Sequence, residues 1–169
     1  RGIKVVAHQQ DSVDTARLVK AGVAGFLHGR FEDEIGEELS RSLAESNTFV
    51  IPNMGLSLLR NMTISEDPLL IETLPSATLS RLGSRVFAKT YKTMPASNSS
   101  DLIRWQLDQL ISNLDASIKR SFGSAIARGV PIILGTDAGA LPDHFFGYTG
   151  HKELEIFVAL GMTPEQAIG

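Results

Sequence analysis

Short apolar runs alternate along the chain with stretches in which apolar residues recur at helical spacing. The run Lys4-Val5-Val6-Ala7-His8 predicts a first strand. Asp11 then suits a helix cap, Val13, Ala16 and Val19 form the face of that helix, and Gly22 fits the left-handed residue that ends it. A second strand at about 23–28 leads through Arg30 and Phe31 to Asp33 as a further cap, with Ile35, Leu39 and Leu43 at helical spacing. A third strand, 48–52, follows almost at once. Strand and helix alternating through short loops predict parallel pairing, with the helices packed outside the sheet.

Beyond Gly55 the rhythm changes. The segment at about 55–100 offers short helical stretches interrupted by Pro68, Pro75, Gly83 and Pro95, and reads as a helical insertion. Ser97-Asn98-Ser99-Ser100 can cap a long helix with Ile103, Leu107, Leu110, Leu114 and Ile118 as its apolar stripe, and Gly129 ends it. The strand 130–134 carries Gly135-Thr136-Asp137. A loop rich in Gly, Pro and aromatics precedes an amphipathic helix from about 151 to 160, closed by Gly161. Thr163-Pro164-Glu165-Gln166 has the residues of a capping box.

Composition narrows the functional classes. The 169 residues fit one domain, and 43% hydrophobic content is that of a globular chain. No apolar run approaches the roughly 20 residues that cross a bilayer. The net charge of −3, from 16 basic and 19 acidic residues without a basic stripe, argues against nucleic acid as partner. With no cysteine, thiolate metal sites and cysteine nucleophiles are excluded, which leaves His, Asp and Glu as metal ligands. A start without methionine that enters an apolar strand within a few residues, and a helix start cut short at Gly169, predict a fragment of a longer protein.

Three strand ends carry the chemistry. His8, His28 and Asp137 each follow an apolar run, and in parallel sheets groups at the carboxyl edge converge in space. Singly, each histidine suits a satisfied strand-end residue and Asp137 suits a turn cap. Jointly they suit a divalent ion, zinc by preference, which takes nitrogen and oxygen donors at about 2 Å and lowers the pKa of its water toward about 7. A carboxylate beside that water can accept its proton and pass it to a leaving amine.

The order His8, His28, then Gly135-Thr136-Asp137-Ala138-Gly139, Gly150-His151-Lys152-Glu153-Leu154 and Gly161-Met162-Thr163-Pro164-Glu165-Gln166-Ala167 resembles the second half of an amidohydrolase-superfamily enzyme. The imidazolonepropionase-like and Xaa-Pro or Xaa-Arg dipeptidase-like hydrolases are the nearest subgroup. The resemblance implies an α/β fold that is a partial TIM-type (β/α)8 barrel, strands 5 to 8 with their helices and the helical insertion after strand 7. It places His8 on strand 5, His28 on strand 6 and Asp137 on strand 8, as ligands of one or two divalent ions, with Asp137 also catalytic. The implied reaction is hydrolysis of an amide, cyclic amide or dipeptide C–N bond by metal-bound hydroxide.

The His-x-His pair and strand-4 lysine of that family do not occur here, so the chain alone is expected to be inactive and to need an N-terminal half upstream. Asn53 stands where relatives often carry Thr after the seventh-strand Pro, here Pro52, and is a substrate-contact candidate. So are His151 at the head of the last helix, His144 in the loop after the eighth strand, and Arg30, whose guanidinium fork suits a substrate carboxylate. Two other classes remain: a non-catalytic half-barrel that pairs with another segment or with its own copy, and a nucleotide-binding α/β domain, for which neither Gly-x-Gly-x-x-Gly nor a P-loop motif is present.

Overall fold

The structure, a computed structural model, describes residues 2–9, 11–29, 35–55, 67–83, 101–102, 105–106, 109, 116–140 and 144–169. Three strands, β1 (Val6–His8), β2 (Gly25–Leu27) and β3 (Phe49–Ile51), form a parallel sheet in the order of the sequence. Their register aligns His8 with Leu27 and Leu27 with Ile51, so the carboxyl ends of the strands share one edge. The expected α/β class with parallel strands is thus observed. The strands are shorter than their apolar runs, and a closed barrel is not seen among the described residues.

The segment 130–134 joins β3 through a single parallel bridge, Val50 to Ile132. Val50 N–H donates to Pro131 O at 2.9 Å, and Ile133 N–H donates to Val50 O at 2.9 Å. Two features keep the ladder this short. Gly129 turns the chain at φ 71 just before it, and Pro131 has no N–H to add a rung.

Helix α1 (Ser12–Lys20) starts as expected, with Asp11 Oδ1 accepting from Asp14 N–H at 2.7 Å. Its docked face differs from the expected one. Thr15 and Val19, one turn apart, are buried, whereas Val13 is 58% exposed. A spacing of three residues drifts back about 60° per step on a helix of 3.6 residues per turn, so Val13 and Val19 do not share a face. Gly22, at φ 85, ends the helix as expected, with its N–H and that of Val23 donating to Val19 O and Leu18 O.

Helix α2 (Glu37–Glu45) begins after Gly36, which provides no side-chain cap, while the expected cap Asp33 lies outside the described residues. Ile35, just ahead of it, is buried, and its N–H donates to Ser121 Oγ at 3.0 Å. Two short helices, α3 (Pro68–Thr73) and α4 (Ser76–Gly83), occupy the described part of the insertion. Pro68 opens α3 rather than breaking a helix, because the first turn needs no donor there.

Helix α5 (Ala116–Ala127) follows, with Ile118 buried as expected; Ile103, Leu107, Leu110 and Leu114, and the proposed cap 97–100, lie outside the described residues. Helix α6 (Tyr148–Ala159) starts three residues ahead of the expected His151. Helix α7 (Pro164–Ile168) carries the complete capping box, Gln166 N–H donating to Thr163 Oγ1 and Thr163 N–H to Gln166 Oε1. No helix among the described residues is long and apolar enough to cross a membrane.

Alternation puts Ala7, Phe26, Val50 and Ile132 on the helix-covered side of the sheet. There Phe26, fully buried, joins Val19, Leu43, Phe122, Ile156 and Phe157 in one core, with α1 against α2, α2 against α5, and α6 against α7. The Phe122 and Phe157 rings meet at 5.6 Å between centroids. Burying each such ring stabilises the fold by roughly 2–3 kcal/mol. The opposite side of the sheet is less covered: Val6, Leu27 and Ile133 lie there at 43%, 40% and 44% exposure.

On that side Gly25 lies under the ring of Phe49 on the neighbouring strand, and a methyl group on Gly25 would overlap the ring. Gly25→Ala should therefore destabilise the chain by about 1–3 kcal/mol through overpacking. Adding Phe49→Ala should return part of that loss. Urea denaturation of the two single variants and the double variant checks this, and strictly additive effects would show that the two positions are not coupled.

Candidate functional site

The shared carboxyl edge brings the three expected residues together. The His8 and His28 rings stack at 4.7 Å between centroids, 28° from parallel. His28 Nε2 lies 4.0 Å from Asp137 Oδ2. The register explains this: His8 ends β1, His28 is the first residue beyond β2, and Asp137 follows the segment that bridges to β3.

The backbone at the site is unusual. His28, Asn53 and Asp137 have φ of 54°, 51° and 50°, in the left-handed region that side chains with a Cβ seldom occupy. His28 and Asn53 lie one and two residues past β2 and β3, Asp137 follows the segment that bridges to β3, and at each the left-handed residue turns the chain sharply. At His28 such a backbone costs about 1–2 kcal/mol, whereas Asn53 and Asp137 are of the types that adopt it most readily. Asn47, the other non-glycine residue of this kind among the described residues, ends α2 in the usual helix-terminating role.

Hydrogen bonds restrain these residues. Asn53, buried, accepts through Oδ1 from His28 N–H at 3.2 Å, tying the turn after β3 to the turn after β2. His8 Nδ1–H donates to Gln9 O at 2.9 Å, so in the neutral ring Nε2 carries the lone pair. Thr136 Oγ1 accepts from Ala138 N–H at 3.1 Å, and Asp137 O accepts from Ala140 N–H at 3.1 Å, closing the turn around Asp137.

The donor set, two imidazoles and a carboxylate at one sheet edge, fits a divalent ion in its chemistry. Its present geometry is not a ligand cage. The imidazole rings lie face against face, whereas ligation uses lone pairs in the ring plane, and no group of three His, Asp or Glu among the described residues is arranged to hold an ion.

The remaining expected residues divide. Asn53 contacts His28 rather than standing open to solvent. His144 is buried, and its carbonyl accepts from Gly139 N–H at 3.0 Å, which ties its backbone to the turn after Asp137. His151 is exposed and lies within the first turns of α6 rather than at its head. Gly150 beside it approaches Thr136 closely enough that a methyl group would touch Thr136 Cγ2 at 4.0 Å. Arg30 lies outside the described residues.

Sequence reasoning passed over Glu153. Its side chain is fully buried, and its two carboxylate oxygens accept from Met54 N–H and Gly55 N–H, each at 2.6 Å. Burial pushes the carboxyl up to about 7, against the smaller opposing effect of those two hydrogen bonds. A signal was present, since Ile156 and Phe157 follow at helical spacing and place Glu153 on the inward stripe of α6.

Next to it, Lys152 is also buried and pairs with Asp67 at 3.2 Å and Glu155 at 3.0 Å. The Tyr148 hydroxyl donates to Asp67 Oδ2 at 3.3 Å, and burial together with Asp67 raises its pKa. Asp67 Oδ1 meanwhile caps α3 by accepting from Leu69 N–H at 3.0 Å. This cluster anchors the described insertion helices to α6.

No protein-family model matches the chain, and no curated protein does. A solved structure, described as the crystal structure of a Xaa-Pro dipeptidase with bound methionine in the active site, superposes on 99% of this chain with a TM-score of 0.52 and 22% identity. The two share an α/β fold. The chain spans 31% of the length of that dipeptidase.

Glu153 leads to a pH dependence. Its folded pKa of about 7 lies above the ordinary 4.5, so between these values the folded chain keeps a proton that the unfolded chain has released. The stability contributed by this group is complete below about pH 4.5 and is lost as pH rises through about 7. The shift corresponds to roughly 3 kcal/mol at most. Urea denaturation at pH 5 and pH 8 should show wild type losing about 1–3 kcal/mol relative to Glu153→Gln at the higher pH; a difference independent of pH would contradict this.

Proposed function

We propose that the chain is part of a metal-dependent hydrolase of the amidohydrolase superfamily that cleaves an amide, cyclic amide or dipeptide C–N bond. His8, His28 and Asp137 would hold a divalent ion, zinc by preference, with partner ligands supplied from outside this chain. The observation that carries the reading is the convergence of these three side chains at one sheet edge, two of them on left-handed turns. The fold shared with part of a Xaa-Pro dipeptidase supports it, as does the thinly covered sheet face, which suits a partial barrel completed by further strands.

When bound, the ion supplies Lewis acidity toward water and the substrate carbonyl. The chain's own residues do the rest. The bond from His8 Nδ1–H to Gln9 O orients that ring and sets its tautomer. Asn53 holds the backbone of His28. Asp137, 45% exposed at its side chain, would take a proton at Oδ2 and return it to the leaving nitrogen. A substrate at this edge would meet His151 on the exposed start of α6, with Asn53 and His144 shaping the floor; Arg30 is the proposed partner of a substrate carboxylate.

The chain as a non-catalytic half that docks on another segment, or on a copy of itself, is the second reading. The exposed apolar side chains of the open sheet face favour it.

Zinc affinity of the 169-residue chain, measured by competition with a chromogenic chelator, separates the two. His28→Ala and Asp137→Asn should each weaken binding by about tenfold or more. In a longer protein that contains the chain, Asp137→Asn should also remove most amide hydrolysis. Unchanged zinc affinity in both variants would sink the metal reading and leave the structural one.

A further inference from the structure

We propose that Glu153 is a positioning residue of the carboxyl-edge site: through its hydrogen bonds to Met54 and Gly55 it sets the turn that presents Asn53 to the backbone of His28. The contact is built, not incidental. Both oxygens of one buried carboxylate accept from successive backbone amides at 2.6 Å, across 99 and 98 positions of sequence. Successive N–H groups aimed at a single anion define the direction of the chain on both sides of it. Asn53 is the residue immediately before this pair of amides, and its backbone turns there at φ 51. The line of contacts runs from α6 to the turn after β3, through Asn53 Oδ1, to His28 N–H.

The charge state of the carboxylate controls the strength of this grip. Ionised, it accepts from two amides at once; protonated, one oxygen bears hydrogen and the bonds to the amides weaken. The neighbouring charged groups do not fix that state for it. On α6 itself Lys152 is paired with Asp67 and Glu155, and His151 is exposed. On α5, which packs against α6 through Phe122 and Phe157, Lys119 and Arg120 are exposed, as is Glu165 on α7. Met54 and Gly55 bring no charge. Desolvation therefore dominates, and the carboxyl changes state near neutral pH.

Two effects of opposite sign follow across the same pH interval. Ionisation lowers global stability because a buried charge is costly, while it tightens the local turn. The effect on hydrolysis rests on the proposed function; the anchoring does not.

The test is a pH titration of the 169-residue chain by amide proton NMR from pH 5 to pH 9. The Met54 and Gly55 amide protons should move downfield with rising pH along one sigmoid centred near 7. The His28 amide should follow with the same midpoint. In Glu153→Gln these sigmoids should vanish, and the Gly55 amide should lose about tenfold or more in protection from exchange, because the carboxamide offers one acceptor for two donors.

Flat Met54 and Gly55 shifts in wild type would overturn the anchoring, and sigmoids that persist in Glu153→Gln would assign the titration to another group. A His28 amide indifferent to the Met54 and Gly55 transition would overturn the positioning role. The wild-type titration decides the proposal even where Glu153→Gln does not fold. In a longer, active protein, kcat should rise with the same midpoint in wild type and lose that limb in Glu153→Gln. Absence of any hydrolysis alongside intact NMR sigmoids would count against the proposed function alone.

Discussion

Parallel pairing in sequence order is the constraint on which the rest depends. Because β1, β2, β3 and the 131–133 segment run the same way, residues at or shortly beyond the carboxyl end of each are delivered to one edge. His8, His28, Asn53 and Asp137 are far apart in sequence and adjacent only for that reason. The pairing needs crossover helices, and their burial on one side of the sheet supplies most of the hydrophobic stabilisation.

The edge would be loose without further restraint, because loop backbone past a strand has no ladder partner. Two kinds of contact tighten it. Left-handed turns at His28, Asn53 and Asp137 redirect the chain sharply, and polar side chains bridge one turn to the next. Glu153 adds a tie from the last long helix, so the packing of α6 reaches the turn beside Asn53 through two hydrogen bonds. Lys152, Asp67 and Tyr148 form a second tie, to the helices after Gly55. The sequence neighbours Lys152 and Glu153 thus restrain two different parts of the chain from one turn of helix.

Local signals translated well where one or two residues decide the outcome. Asp11 caps α1, Gly22 and Gly129 reverse the chain at positive φ, and Thr163 with Gln166 forms a reciprocal cap. They failed where packing decides. Val13 is apolar but lies about 120° around the helix from Val19 and remains exposed, because Thr15 and Val19 define the docked side. The run 130–134 is as apolar as a strand and makes a single bridge among the described residues, where Pro131 cannot donate. Glu153 is a charged residue in a helix with an exposed His151 close by, and nothing in its type announces complete burial.

By itself the sequence determined the alternation of strand and helix, the caps and reversals, and the polar residues His8, His28 and Asp137 that follow three apolar runs, since each depends on side chains close along the chain. Tertiary structure decided what those ends do to one another. It stacked the His8 and His28 rings instead of aiming their lone pairs at a common point, assigned Asn53 to the backbone of His28, and buried Glu153 where its carboxylate meets two amides. Those outcomes depend on distances between segments up to 99 residues apart, which are set by sheet register and helix packing rather than by local preference.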